Sequence, residues 1–316
     1  MALSQTSAQA LARLRTYNPP PTQWHNCPLT RRAAVLILLF PDRHGALKVV
    51  LTMRSAKLNS YAGQAAFPGG KADTLDESPW AVARREAWEE IGLPLDDEKL
   101  KKGGFKVEQL CELPANLAKT ELGVRPCVAY LSPLDEQGGL EVEERLIPRL
   151  DPKEVAAVFT APFHSFLRKT WEGEGPGPVQ PNGKLEKWYR GAWTDWNESR
   201  WRMHNFYVPK PPTSPSTLLQ TPKRDVDLET PPEASDERAE PNPLDKLTSF
   251  RVWGMTARIV VDAARIAYGE EPEFEHNNHH GDEEMIERLL RMGRLSEERK
   301  KGDVLTKEVL KEASKI

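Results

Sequence analysis

Between Phe67 and Leu93 the chain carries a pattern that leaves little local freedom. Ser78 is a good helix N-cap and Pro79 suits the first helical position. Gly92 supplies a left-handed stop, with Pro94 just beyond. These signals predict a helix over Pro79 to Ile91, about three and a half turns long. On a wheel of about 100° per residue, Glu90 lies about 40° from Glu86 and Glu89 about 60° to the other side. Three carboxylates therefore share one face. Trp80, Ala83, Ala87 and Ile91 form the opposite, apolar stripe, which is expected to pack on a sheet. Arg85 stands four residues before Glu89 and is expected to pair with it.

Like charges at this spacing cost a few tenths of a kcal/mol in a bare helix, and a solvated acidic face is the ordinary reading of paired glutamates. Two features argue for more. The apolar stripe anchors the helix, and the helix follows Phe67-Pro68-Gly69-Gly70-Lys71, a loop whose backbone amides suit phosphate. Hard oxygen donors on a rigid face suit Mg²⁺ or Mn²⁺, which bind through a few carboxylates and substrate phosphates.

The rest of the sequence favours α+β layering. Ala33 to Phe40 reads as a buried strand, with Leu47 to Met53 as its partner across a turn at Asp42 to Gly45. Phe105–Cys111, Val124–Leu131, Val155–Thr160 and Trp201–Val208 are further strand candidates. A short helix is expected over Ala8–Arg15. A longer one, Met255–Tyr268, has Ile259, Val260, Ala263, Ala264 and Ala267 on one face. Strands and helices mix without a regular βαβ repeat. The chain has 27 prolines among 316 residues, against roughly 16 at average usage. They concentrate after Glu172. Lys210 to Asp245 lacks apolar periodicity and is expected to be disordered, whereas the aromatic-dense stretch Trp188 to Val208 reads as an ordered arm.

Net charge is −3, which gives no electrostatic footprint for nucleic acid or an anionic membrane. The longest apolar run is far short of a membrane span. Cys27, Cys111 and Cys127 are odd in number and widely separated, which argues against a disulfide framework and for a reducing compartment. His276, His279 and His280 read as a solvated loop, because no second cluster with ligand spacing follows.

The series Gly70, Glu77, Arg85, Glu86, Ala87, Glu89, Glu90, Gly92, Leu93 resembles the Nudix box of diphosphate hydrolases, with six residues rather than five between Gly70 and Glu77. The segment Leu51-Thr52-Met53-Arg54-Ser55, followed by Gly63-Gln64 and Pro68-Gly69-Gly70, resembles the coenzyme A diphosphatase subgroup, which shares the extra residue. So do Glu154 to Leu167 and Trp253-Gly254-Met255-Thr256-Ala257. Tyr61 departs from the subgroup, many of whose members carry His there.

The resemblance implies a Nudix-type α/β/α sandwich with a mixed sheet, to which this chain adds a Pro-rich insertion and a helical C-terminal tail that lie outside the resemblance. Its boundaries are an N-terminal extension (1–31), a hydrolase domain (32–268, with the insertion at about 210–245) and a charged tail (269–316). It also implies cleavage of coenzyme A to 3',5'-ADP and 4'-phosphopantetheine. Glu86 and Glu90, with Glu89, would hold Mg²⁺ or Mn²⁺. Glu89 would also serve catalysis, with Arg85 orienting it and Glu154 as a separate base. Gly69, Gly70 and Lys71 would line the phosphate path, and Arg54 and Gln64 are candidates for the extra phosphate or adenine end.

Alternatives are the same apparatus acting on an oxidised nucleoside triphosphate or a dinucleotide, and an inactive adaptor docking through the insertion. Ser314-Lys315-Ile316 resembles the peroxisomal Ser-Lys-Leu address, which implies an import receptor and a peroxisomal location, with cytosol and mitochondrion as alternatives.

Overall fold

The computed structural model describes residues 3–54, 64–134, 155–175, 177–180, 183–196, 199–210, 247–298, 306–313 and 315. The expected disordered stretch therefore lies, but for Lys210, outside the described residues.

The chain begins with helix α1 (Gln5–Thr16) and two short 3₁₀ turns. Strand β1 (Arg32–Pro41) follows. Its apolar run is buried on both sides, as befits the centre of a two-faced sheet. The predicted turn is present: Asp42 Oδ1 accepts from the amides of His44 and Ala46, both at 2.8 Å, and Gly45 takes φ +78°. It leads into β2 (Leu47–Arg54), antiparallel to the upper half of β1.

The lower half of β1 has a different neighbour. After the two-residue β3 (Ala65–Ala66), which pairs with β2, the three-residue β4 (Gly69–Lys71) pairs Gly70 with Ala34 and Gly69 with Val35. One edge of β1 thus serves two strands in turn, and a crevice opens where they part. Then come α2 (Pro79–Ile91), α3 (Asp97–Lys102), β5 (Phe105–Glu112), β6 (Asn116–Leu117), β7 (Gly123–Pro133) and β8 (Val155–Pro162). β7 runs parallel to β1, whereas β8 is antiparallel to β2 and β5 to β7. The sheet is mixed, as expected.

A second sheet holds β9 (Tyr189–Trp196), β10 (Ser199–Pro209) and β11 (Ser249–Trp253), so the aromatic-dense arm is a hairpin closed by a later strand. Helices α4 (Gly254–Tyr268), α5 (Glu283–Arg291) and α6 (Lys307–Ala313) complete the chain.

Alternation along β1 divides the core. Ile37 and Leu39 face α1 and α4, in one cluster with Leu11, Leu14, Ile259 and Val260. Leu36 and Leu38 face the other way, in one cluster with Val82, Ala87 and Ile91 of α2. This is the expected layering of helices on both faces of a sheet. Ile286 and Leu289 of α5 and Leu310 and Ala313 of α6 are buried in that second cluster, so the charged tail is packed against the body.

Candidate active site

Helix α2 has the bounds its sequence predicts. Ser78 Oγ accepts from the Ala81 amide at 3.1 Å, and Gly92 closes the helix at φ +70°. The cap contributes about 1 kcal/mol. The buried face is rotated slightly from expectation. Val82, Ala83, Ala87 and Ile91 fill it, while Trp80 is only half-buried, with the Arg84 guanidinium 5.8 Å from its ring. Val82 takes the deep position because the packing line follows the sheet rather than the wheel's ideal centre.

That rotation separates the three carboxylates. Glu90 is buried, and its Oε2 accepts from the Gly69 amide at 3.1 Å. Glu86 has a side chain 14% exposed and lies against Gly70: a Cβ there would fall 2.4 Å from the Glu86 carboxylate. Glu89 stands at the rim, with its side chain 44% exposed. The glycine loop and two glutamates are thus one contact, in which β4 brings backbone where any side chain would collide.

Arg85 does not chiefly orient Glu89, as its helical spacing predicts. Its Nε donates to Glu77 Oε1 at 2.9 Å and its Nη2 to the Lys71 carbonyl at 2.8 Å. Nη1 reaches Glu86 at 3.0 Å and Glu89 only at 3.4 Å. Glu77 also accepts from the Asp73 amide at 2.6 Å. The hydrogen bond from Arg85 holds the Glu77 carboxyl below its usual pKa and raises that of Arg85. The geometry is a brace: Arg85 ties α2 to the strand and loop that precede it. Glu77 belongs to this machinery although the sequence assigned it no role; its place in the motif was the available signal. The Lys71 side chain is exposed.

Arg54 ends β2 on the far side of the crevice. Its Nη1 lies 3.9 Å from Glu90 Oε1, and its Nε is buried without a hydrogen-bond partner among the described residues. The Arg54 amide donates to the Gln64 carbonyl at 3.0 Å, which places Gln64 beside it through the backbone. The structure therefore brings together Arg54, Gln64, Gly69, Gly70, Lys71, Arg85, Glu86 and Glu90, with Glu89 at the edge. Glu154 and Tyr61 lie outside the described residues.

Among the described residues, no group of three or more His, Cys, Asp and Glu side chains forms a ready-made metal cage. Glu86 and Glu90 nonetheless fit a hard divalent ion, because Mg²⁺ characteristically takes one or two carboxylates and completes its shell with waters and phosphate oxygens.

His279 is exposed, as the expected solvated loop requires, but His276 departs from that expectation. The His276 side chain is 3% exposed. His276 joins a buried chain running from Tyr189 Oη to His204 Nδ1 (3.0 Å), from His204 Nε2 to His276 Nδ1 (2.8 Å), and from His276 Nε2 to Asp262 Oδ1 (2.8 Å). Burial lowers the His204 pKa to about 3. The β9–β10 hairpin covers the loop, and nothing in the local sequence announces that.

Residues 30–210 match the NUDIX domain. A Saccharomyces cerevisiae protein named peroxisomal coenzyme A diphosphatase 1 is 31% identical over 280 residues, covering 85% of this chain and 78% of its own. Nudix hydrolase 15, mitochondrial, of Arabidopsis thaliana is 30% identical over 244 residues, covering 77% of this chain and 61% of its own. Among solved structures, a Caenorhabditis elegans Ap4A hydrolase aligns with a TM-score of 0.30 at 18% identity, over 42% of this chain and 80% of that one.

Proposed function

Because the chain belongs to the NUDIX family of diphosphate hydrolases, we propose that its substrate is coenzyme A, cleaved to 3',5'-ADP and 4'-phosphopantetheine with Mg²⁺ or Mn²⁺. The observation that carries the reading is the pairing of an acidic wall with a cationic one. Glu86 and Glu90 stand on α2 against the Gly69-Gly70 backbone, and Arg54, whose buried Nε has no hydrogen-bond partner among the described residues, faces Glu90 at 3.9 Å. A buried donor without a partner costs about 1–3 kcal/mol, which a phosphate oxygen entering the crevice would recover. The similarity to the S. cerevisiae coenzyme A diphosphatase supports the choice of substrate.

When bound, the divalent ion supplies Lewis-acid neutralisation of the diphosphate charge. Glu86 and Glu90 would hold it. The Gly69 amide fixes one Glu90 oxygen and leaves the other turned toward Arg54. The Arg85–Glu77 brace holds α2 at fixed distance from the loop, so the carboxylates need little reorganisation. Arg54 donates to the diphosphate, a role supported by its nearness to Glu90. Gly69 and Gly70 admit the chain of phosphates to backbone distance, and Lys71 draws the anion in from the rim. Water attacks one phosphorus, the anhydride P–O bond breaks, and a proton leaves the attacking water. Glu89, half-exposed at the rim, is the first candidate base for that proton, and Glu154 is the second.

Turnover of coenzyme A against a panel of dinucleotides and oxidised nucleoside triphosphates tests the substrate. Glu90→Gln, which keeps an acceptor for the Gly69 amide, should fold normally and lose nearly all turnover. Unchanged turnover removes the metal assignment. A peroxisomal location is proposed on Ser314-Lys315-Ile316, of which Ser314 and Ile316 lie outside the described residues. A fluorescent fusion that stays peroxisomal without the tripeptide would refute it.

A further inference from the structure

The second sheet has a face that the catalytic reading does not use. Strand alternation sends Phe206, Val208, Phe250 and Val252 into the core. The register pairs Asn205 with Arg190 and Trp253, and Tyr207 with Arg251, so these five lie on the opposite face. There the arginines are laid flat on rings. The Arg251 guanidinium sits 4.6 Å from the Trp253 ring centroid, and that of Arg190 sits 5.4 Å from Tyr207.

Arg251 is held in place. Its Nε donates to Asn205 Oδ1 at 2.8 Å, and its Nη2 donates to the same oxygen. Both bonds go to a neutral acceptor. Among the described residues no carboxylate pairs with Arg251, which is exposed, whereas Arg190 is partnered by Glu186 at 2.6 Å. Fixing an arginine side chain gives up about 2 kcal/mol of rotamer entropy. The result is a planar, oriented cation on an exposed residue.

A run of contacts leads from this sheet to the residues beside Gln64. β11 runs directly into α4, and Thr256 Oγ1 donates to the Ala65 carbonyl at 3.2 Å, next to Gln64. β11 also lies beside β3. Arg251 is two residues back along the strand, about 7 Å from Trp253 at strand rise.

We propose that this face binds the 3'-phosphoadenosine end of the substrate, a proposal that rests on coenzyme A being the substrate. The purine stacks on the guanidinium layer over Trp253, as bases do on arginine planes. The 3'-phosphate, a dianion, meets Arg251 and the flanking Arg190 through charge-assisted hydrogen bonds. The sheet face thus selects the nucleotide end, and the α2 crevice performs the cleavage.

The test uses the full chain and two readouts. In chelator-treated protein, calorimetry measures binding of 3',5'-ADP and of 5'-AMP. With metal, kcat and KM are measured for coenzyme A and for dephospho-coenzyme A, which lacks the 3'-phosphate. Arg251→Gln, at an exposed position, should weaken both nucleotides through the lost purine stack, but 3',5'-ADP at least tenfold more than 5'-AMP. It should also raise KM at least tenfold more for coenzyme A than for dephospho-coenzyme A, with kcat unchanged. Arg251→Lys, which keeps the charge and loses the plane, should recover part of the 3'-phosphate preference. Equal KM for coenzyme A in wild type and Arg251→Gln overturns the assignment. Wild-type protein that ignores both coenzymes but cleaves another diphosphate overturns the substrate reading, and the sheet-face assignment with it.

Discussion

Two adjacent glycines should fail in opposite ways when a single methyl group is added. At Gly69, which has φ +156°, a Cβ would lie 2.4 Å from the Ala34 carbonyl oxygen and 2.7 Å from the Val35 Cα, both backbone atoms of the central strand. Neither can yield without moving β1, so Gly69→Ala should cost about 3 kcal/mol or more of stability, as overpacking of a fixed core does. At Gly70 the obstacle is the Glu86 carboxyl group, 2.4 to 2.5 Å away, at the end of a flexible side chain. It can retreat by about 1 Å to reach van der Waals distance. Gly70→Ala should therefore unfold within about 1 kcal/mol of wild type. Its turnover should fall by about a hundredfold, because displacing the proposed metal-holding group by 1 Å costs that order of rate. Chemical denaturation of both variants, with kcat measured on coenzyme A at saturating Mn²⁺, separates the two effects. A folded Gly70→Ala enzyme with wild-type kcat would refute the contact between the loop and Glu86 as a determinant of catalysis.

Three further outcomes follow from interactions away from the crevice. Glu121, a non-glycine residue at φ +62°, is fully buried, with Arg31 at 2.9 Å and Arg294 at 2.9 Å; Glu121→Ala should cost about 3–5 kcal/mol in denaturant titration, and a loss below 1 kcal/mol would show the site relaxing around water. His204 is neutral in the folded state, with its pKa lowered to about 3 mainly by burial, whereas the unfolded chain protonates it near pH 6.5. The unfolded state therefore binds the extra proton between those values, so stability is fully present above about pH 6.5 and declines by up to about 1.4 kcal/mol per unit below it. His204→Gln should flatten that acid limb, and an unchanged slope would place the titration elsewhere. Leu310→Ala on the tail helix should cost about 3 kcal/mol; thermal melting indistinguishable from wild type would mean that α6 does not contribute to the core in solution.

What the sequence made legible depended on how local its cause was. The bounds of α2 follow from Ser78, Pro79 and Gly92, residues that act within one turn, and they hold in the structure. The strand around Ala33–Phe40 was visible because burial on both faces gives a continuous apolar run. The pairing of Arg85 with Glu89 is present at 3.4 Å, but the main partner, Glu77, was missed because it lies eight positions back across a loop whose path the helical wheel does not contain. Trp80 and Val82 exchanged depth through a rotation that only the sheet beneath them sets. His276 was unreadable for a stronger reason: its burial is supplied by His204, 72 positions earlier on a hairpin. The carboxylates and the glycine loop were both found, but their direct contact needed the pairing of β4 with β1.

The packing of α5 and α6 into the same apolar cluster as α2 bears on how the enzyme comes into being. The acidic helix is made early, yet part of the layer that backs it leaves the ribosome about two hundred residues later. A nascent chain halted before residue 286 would present the acidic motif without that support. Hydrolytic competence should accordingly arise only once residues 286–313 have emerged, so that shorter nascent polypeptides do not drain a diphosphate pool.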